Sequence, residues 1–118
     1  MDYLWIILFL YLAGKLGQLY HYRNIRKIDK TELLQRMKDK RTIILDVRTN
    51  EEYTKKKIPH SILMPIQRLR KDIAKKIPDK TMDIVVYCHS GSRSKRAARI
   101  LYDMGYRNIK NFGKLEKW

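Results

Sequence analysis

Beyond residue 23, short runs of β-branched and apolar residues alternate with segments of helical periodicity, and this alternation restricts the folds open to the chain. Apolar runs at 42–47 and 83–87 predict strands that are buried on both faces. Capping-box pairs predict helices that begin near Lys30 and Asn50. The same reasoning assigns strands to 61–64 and 108–111 and helices to 66–76 and 93–104. Because strands that alternate with helices usually pair in parallel, we predict an α/β fold, a small parallel sheet flanked by helices on both faces.

The first 22 residues are almost free of charge. No charged side chain occurs at 3–14, and a basic cluster follows at 23–30. A helix over residues 3–20 would be about 27 Å long at about 1.5 Å per residue, close to the thickness of a bilayer core. We therefore expect residues 1–22 to form one N-terminal transmembrane anchor helix and residues 23–118 to form one domain, which the positive-inside rule places in the cytoplasm. A cleavable signal peptide is the alternative, but no basic residue precedes the apolar run.

The charge of the chain is strongly one-sided. It has 27 Lys and Arg against 12 Asp and Glu, a formal net charge of +15. Such a charge attracts anionic lipid, nucleic acid and anionic small molecules alike, so it allows lipid contact beside the anchor and predicts no specific nucleic-acid partner. The single cysteine, Cys88, excludes a disulfide within the chain and is either a buried filler or a reactive thiol.

The surroundings of Cys88 favour a reactive thiol. The predicted strand 83–87 leads straight into a loop and then a helix, and ligands of parallel sheets bind at that end of the strands. Gly91 permits a positive φ, and consecutive N–H groups in such a turn form an anion-binding nest that the helix N-terminus reinforces. The nest and Arg93 would favour the thiolate form of Cys88. The six residues of this candidate site are Cys88, His89, Ser90, Gly91, Ser92 and Arg93.

The loop and its flanking segments resemble the rhodanese family of sulfurtransferases. The run from Cys88 to Ser94 is similar to the active-site loop of that family, and 46–53, 58–65 and 113–118 resemble its other signatures in order. The resemblance implies that Cys88 carries a sulfane sulfur as a persulfide, taken from a thiosulfate-like or persulfide donor and passed to a thiol or cyanide-like acceptor. It implies that the other loop residues bind the substrate, and it suggests neither a cofactor nor a metal.

We expect Asp46 and Arg48, which precede the cysteine loop in the sequence, to be structural partners near the site rather than catalysts. Four positions depart from the common family pattern, namely Lys56, Lys57, His60 and Lys114. These departures concern loops around the site and leave the cysteine loop intact. His60 and His89 could act as general bases, but sulfur moves between thiolates without one, so we expect solvated polar side chains there.

Two other functions remain open from the residues alone. A phosphatase or arsenate reductase also places a cysteine and an arginine around an anion-cradling loop. Only four residues separate Cys88 from Arg93, however, and tyrosine phosphatases have a longer loop that suits a tetrahedral oxyanion. A non-catalytic, membrane-tethered binding module would use the basic surface for lipid or nucleic acid, and the intact cysteine loop argues against it.

Overall fold

A parallel sheet is the framework of the computed structural model, which describes residues 2–118. Within that range, five strands are present: β1 (Arg26–Lys27), β2 (Thr42–Asp46), β3 (Ile62–Leu63), β4 (Asp83–Cys88) and β5 (Ile109–Lys114). All strand pairs are parallel, and the order across the sheet is β1-β5-β4-β2-β3. Strand β4 is therefore central, and both of its edges are paired.

Helices cover both faces of this sheet. The helices of residues 2–118 are α1 (Leu4–His21), α2 (Lys30–Arg36), α3 (Asn50–Lys55), α4 (Leu69–Lys76) and α5 (Ser92–Asp103), with 3-10 turns at Ile66–Arg68 and Leu115–Lys117. One core contains Ile73 of α4 and Leu101 of α5, and the other contains Leu33 of α2. The predicted α/β fold with a parallel sheet between helices is thus confirmed.

Local signals placed the helix starts correctly. Asp29 caps α2 by accepting a hydrogen bond from the main-chain N–H of Glu32, and Thr49 caps α3 in a complete capping box with Glu52. The segment predicted as one helix at 66–76 instead begins with a 3-10 turn. The short edge strand β1 was not predicted, because two exposed basic residues have no strand-like pattern.

Strand β4 carries Cys88 to its position through strict alternation between the two cores. Ile84, Val86 and Cys88 face the core of α4 and α5, whereas Val85 and Tyr87 face the core on the other side. Burying each large aliphatic side chain contributes about 1.5–3 kcal/mol, so the central strand is a rigid support. Cys88 is its last residue and has no exposed surface.

An irregularity in β5 sets what lies opposite Cys88. Val86 pairs with Asn111, but Tyr87 pairs with Gly113, so Phe112 is skipped. Gly113 has a φ of 86°, a conformation that glycine adopts without strain at such a bulge. The shift brings Lys114 into register with Cys88.

The N-terminal helix requires a correction. Among the helices of residues 2–118, none is both long enough and apolar enough to cross a membrane. The predicted transmembrane anchor is wrong, and so is the single-pass membrane location with a cytoplasmic domain that depended on it. The physical reason lies in the second half of α1, where Lys15, Gln18 and His21 interrupt the apolar run after Gly14. The expected contact with membrane and anionic lipid loses its support with the anchor.

Helix α1 nevertheless exists and is joined to the domain at its end. No residue of α1 is buried, and its large apolar side chains are exposed. The His21 ring lies 3.2 Å from a carboxylate oxygen of Asp103, and the Tyr22 hydroxyl donates to the other oxygen at 2.9 Å. The domain boundary between residues 22 and 23 stays a prediction.

Candidate active site

The sulfur of Cys88 is held by main-chain N–H groups. Gly91 donates its N–H to Sγ at 3.0 Å, and Ser94 donates its N–H at 3.3 Å. Gly91 has a φ of 101°, which turns the chain into α5 at Ser92. The sulfur therefore occupies the N-terminus of α5 and accepts where a capping oxygen would otherwise do so. A negative charge on this sulfur is stabilised by both donors and by the helix dipole.

The other loop residues surround the sulfur without touching it through side-chain hydrogen bonds. His89 and Ser90 are exposed, and Gly91 is partly buried. His89 lines a cavity of about 360 Å³ on one side of the loop, whereas Ser90 and Gly91 line a cavity of about 430 Å³ on the other. Ser92 is exposed at the start of α5 and lies outside the lining of both cavities.

The Arg93 guanidinium is paired with a carboxylate from another helix. Its two terminal nitrogens donate to the two carboxylate oxygens of Glu52 at 2.8 and 2.9 Å. The hydrogen bonds from Arg93 lower the pKa of Glu52 from 4.5 to about 2, against the opposing effect of desolvation. Glu52 thus ties α3 to the start of α5. The sequence marked Glu52 as a capping residue and as part of the 46–53 segment that resembles a family signature, and it did not indicate this ion pair.

A buried ion pair supports the strands behind the loop. Asp46 and Arg48 are 0% and 3% exposed, and Arg48 Nη2 donates to Asp46 Oδ2 at 2.6 Å and to the carbonyl of Lys56 at 2.6 Å. Tyr87 donates its hydroxyl to the same carboxylate at 2.6 Å and accepts the N–H of Ile58 at 3.1 Å. Desolvation and the bond to Asp46 raise the pKa of Tyr87 to about 12. This network fixes the loop after α3. The supporting role of Asp46 and Arg48 at the site stays a prediction.

The structure shows the local surroundings of three residues that depart from the common family pattern, namely Lys56, Lys57 and His60. Lys57 Nζ donates to the Tyr53 hydroxyl at 3.2 Å, and Lys56 supplies the carbonyl to the buried arginine. His60 has a φ of 67°, a region in which a side chain costs roughly 1–2 kcal/mol relative to glycine. Glycine would be less strained than histidine at this position.

With this geometry in place, comparison with known proteins assigns the chain to a family. The model of the family described as Rhodanese-like domain matches residues 29–118. The chain belongs to the rhodanese-like domain family. The match begins at the N-cap of α2 and includes the cysteine loop and both networks around it.

Similar proteins of this family carry sulfurtransferase names. The rhodanese-like chain is 36% identical over 72 residues to thiosulfate sulfurtransferase PspE of Escherichia coli, a match that covers 61% of the chain and 69% of the relative. It is 34% identical over 88 residues to a sulfurtransferase of Allochromatium vinosum, with 74% and 80% covered. A solved E. coli structure, described as a rhodanese with anions, superposes with a TM-score of 0.63 at 34% identity and covers 65% of this chain and 91% of that one. A rhodanese-related protein of Thermoplasma volcanium gives a TM-score of 0.67 at 30% identity, with 79% and 89% covered.

Proposed function

We propose that this rhodanese-like protein is a sulfurtransferase that carries a sulfane sulfur as a persulfide on Cys88. The observation that supports it most directly is the pair of main-chain N–H groups, from Gly91 and Ser94, that converge on the cysteine sulfur. Such donors stabilise a negative charge without needing to reorganise during the reaction. The relatives named sulfurtransferases support the same reaction class.

The first half-reaction loads the cysteine. The Cys88 thiolate attacks the outer sulfur of a thiosulfate-like donor, the bond between the two donor sulfurs breaks, and sulfite leaves with the bonding electron pair. The product is a persulfide anion on Cys88. No oxidant is consumed, since the donor already holds sulfur at the sulfane level. Sulfite carries away two of the three negative charges, and the one that remains on the persulfide lies next to the α5 N-terminus, where the dipole favours it.

The second half-reaction returns the cysteine to its starting state. A thiolate or cyanide-like acceptor attacks the outer sulfur of the persulfide, the sulfur–sulfur bond to Cys88 breaks, and its electrons return to Sγ. Neither step requires a group that moves a proton at the sulfur, since the thiolate and the persulfide anion exchange the outer sulfur without gaining or losing a proton.

Roles follow for the rest of the loop. We assign to Gly91 the role of donating its N–H to the sulfur, because its positive φ directs that N–H toward Sγ. His89, Ser90 and Ser92 would contact bound donor or acceptor from the exposed rim. Arg93 acts as a positioning residue through Glu52, with its charge shared between that carboxylate and the site.

Mass spectrometry of the protein after treatment with thiosulfate tests this proposal. We expect one added sulfur atom, located on Cys88 and removed again by cyanide with release of thiocyanate. A Cys88→Ser variant is the control, since its hydroxyl can accept similar hydrogen bonds but cannot form a persulfide. The proposal fails if the folded wild-type protein takes up no sulfur, or if the serine variant transfers sulfur equally well.

Incubation with an aryl phosphate tests whether the protein is a phosphatase rather than a sulfurtransferase. With four residues between Cys88 and Arg93, the loop should accommodate one added sulfur and should not align a phosphoryl group for attack. Phosphate release should therefore stay at the level of the Cys88→Ser variant. Hydrolysis that depends on Cys88 and exceeds sulfur transfer would favour the phosphatase instead.

A further inference from the structure

A surface rich in basic residues adjoins the cysteine loop. The cavity of about 430 Å³ that is lined by Ser90 and Gly91 borders a neighbouring cavity of about 290 Å³, and the two share Lys27, Lys95 and Asn111. Five cationic residues line this combined space, which we call the basic groove: Lys27, Lys95, Arg99, Lys114 and Lys117.

The positive charge of the basic groove is poorly balanced. Within residues 2–118, none of its five cations takes part in an ion pair, although ion pairs hold cations elsewhere on the domain. Arg99 lies over the Tyr22 ring at 4.9 Å, and Lys117 donates to the carbonyl of Phe112 at 3.2 Å. Glu116 is the one acidic residue on the lining. A ligand with more than one negative charge would complement this surface.

The groove is joined to the sulfur-bearing loop through Lys114. This residue is in register with Cys88 across the sheet, a consequence of the bulge at Phe112. Its Cγ lies 3.8 Å from the point that a Cβ on Gly91 would occupy, so the Lys114 side chain runs along the loop. A group bound at the Lys114 ammonium would therefore stand beside anything that approaches Cys88 from this side.

The floor of the groove supplies a hydrogen-bond acceptor as well. The side-chain oxygen of Asn111 is buried, has no hydrogen-bond partner within the described chain, and belongs to a residue that borders both cavities. Unpaired buried oxygens are uncommon in folded proteins. A small ligand with a hydroxyl or N–H group next to its carboxylates could satisfy it.

We propose that the basic groove is the acceptor subsite and that it selects small thiols carrying two or more carboxylates. This inference rests on the proposed sulfur transfer at Cys88. The acceptor thiolate would attack the outer sulfur of the persulfide while its carboxylates lie against Lys95 and Lys114; the bond to Sγ breaks and its electrons return to Cys88. The cavity volume is in the range of small-molecule sites rather than of protein interfaces.

Single-turnover transfer from preloaded Cys88 persulfide tests the selection and keeps the anionic donor out of the measurement. The acceptors are mercaptosuccinate with two carboxylates, 2-mercaptoethanol with no charged group besides its thiol, and cysteamine with one ammonium group. Their rates are expressed per thiolate. We expect mercaptosuccinate to react fastest. The double variant Lys95→Gln/Lys114→Gln should lower that rate about tenfold, as expected for loss of two partly solvated charge contacts, and leave 2-mercaptoethanol within about twofold of wild type.

A matched control separates the groove from the overall charge. The variant Lys40→Gln/Lys71→Gln removes the same two charges at exposed positions, before β2 and on α4, that do not line the groove. It should keep the preference for mercaptosuccinate. The proposal is overturned if this control lowers the mercaptosuccinate rate as much, if the groove variant slows all three acceptors equally, or if wild type shows no preference.

Binding of succinate, which lacks a thiol, keeps the test independent of sulfur loading. In a titration followed by NMR, wild type and the Lys40→Gln/Lys71→Gln control should bind succinate alike, and the groove variant should bind it about tenfold more weakly. If Cys88 fails to load sulfur but the groove binds succinate in this way, the proposed transfer is wrong and the anion subsite stands. Equal binding by all three proteins rejects the subsite.

Discussion

Arg93 and Glu52 form a two-point ion pair across the site, with nitrogen–oxygen distances of 2.8 and 2.9 Å. The same carboxylate accepts the N–H of Thr49 at 3.2 Å and so completes the cap of α3. One side chain thereby links the start of α3 to the start of α5, whose N-terminus holds the sulfur of Cys88. The orientation of the cysteine loop consequently depends on a residue outside it.

This pairing predicts non-additive effects on sulfur transfer. Arg93→Ala should lower the rate roughly tenfold without abolishing it, because it loosens the loop and leaves the Glu52 carboxylate unpaired near an anionic substrate. Adding Glu52→Gln should restore part of the loss, since the neutral amide no longer repels the donor. Thiosulfate to cyanide transfer in the four proteins of this cycle measures the coupling. A double variant slower than Arg93→Ala would contradict it.

The free energy of unfolding at acid pH should depend on the same ion pair between Arg93 and Glu52. The pKa of Glu52 falls from 4.5 to about 2 in the fold, chiefly through the Arg93 hydrogen bonds, so the unfolded chain takes up this proton first as pH drops. The stabilisation is present above about pH 4.5 and is lost as pH falls toward about 2. Because Glu52 is 30% exposed, we expect only about 1–2 kcal/mol at neutral pH.

Denaturant unfolding of wild type and Glu52→Gln between neutral pH and pH 2 checks this. The difference in unfolding free energy should be largest at neutral pH and should shrink toward the acid end. Glu51→Gln is the control, since Glu51 is exposed on the same helix and its contact with Lys55 is 3.4 Å long. A difference that is constant with pH would rule out ionisation of Glu52 as its source.

Gly91→Ala should disturb function through the backbone. A Cβ would meet only the flexible Lys114 side chain at 3.8 Å, but the φ of 101° disfavours alanine by about 1 kcal/mol or more. Relaxation of this strain would turn the N–H away from the Cys88 sulfur and lower transfer several-fold. Gly105→Ala, at a φ of 104° and outside the site, should lose comparable stability with unchanged transfer. Equal losses of transfer in both variants would refute the specific role of Gly91.

Tyr87→Phe should affect stability far more than transfer. Its hydroxyl donates to Asp46 and accepts the N–H of Ile58. Both buried groups would lose a hydrogen-bond partner, which should lower the free energy of unfolding by about 1–3 kcal/mol. The ring lies in the core opposite to that of Cys88, so transfer per folded molecule should change less than twofold. Thermal unfolding and transfer rates measure the two quantities. A large loss of transfer without loss of stability would place Tyr87 in the site instead.

Removal of residues 1–22 should leave a folded, active domain. Helix α1 buries none of its residues, and the truncation breaks the contacts of His21 and Tyr22 with Asp103 and Tyr102 and the contact of Arg99 with the Tyr22 ring. We expect a loss of about 1–2 kcal/mol and unchanged thiosulfate to cyanide transfer, which does not use the basic groove. Circular dichroism and turnover of the 23–118 fragment decide this. An unfolded fragment would show that the domain boundary lies earlier.

Local patterns were sufficient for much of this protein. The buried strand before Cys88 and the caps at Asp29 and Thr49 depend on residues a few positions apart, and hydrogen bonds of that range are specified within one segment. The cysteine loop was recognisable for the same reason, since Gly91 and the following helix lie directly after Cys88. The parallel sheet followed from the alternation of strands and helices.

Hydrophobic composition alone misled the interpretation of the N-terminal helix. The uncharged run ends at Gly14, and the polar residues after it leave the helix insufficiently apolar along its length to cross a membrane. A helix was predicted over 3–20, and the structure has it at Leu4–His21. Helical character is a local property, whereas the medium around a helix depends on its whole surface and on what packs against it.

The tertiary structure decided which distant residues meet at the site. Glu52 and Arg93 are 41 positions apart, and Lys114 reaches Gly91 only because a bulge at Phe112 shifts the register of β5. Such contacts arise from strand order, register and helix packing, which no short window of residues specifies. The sequence by itself therefore determined the cysteine loop and the fold class of the chain. The assembled sheet determined the ion pair that positions the loop and the basic groove beside it.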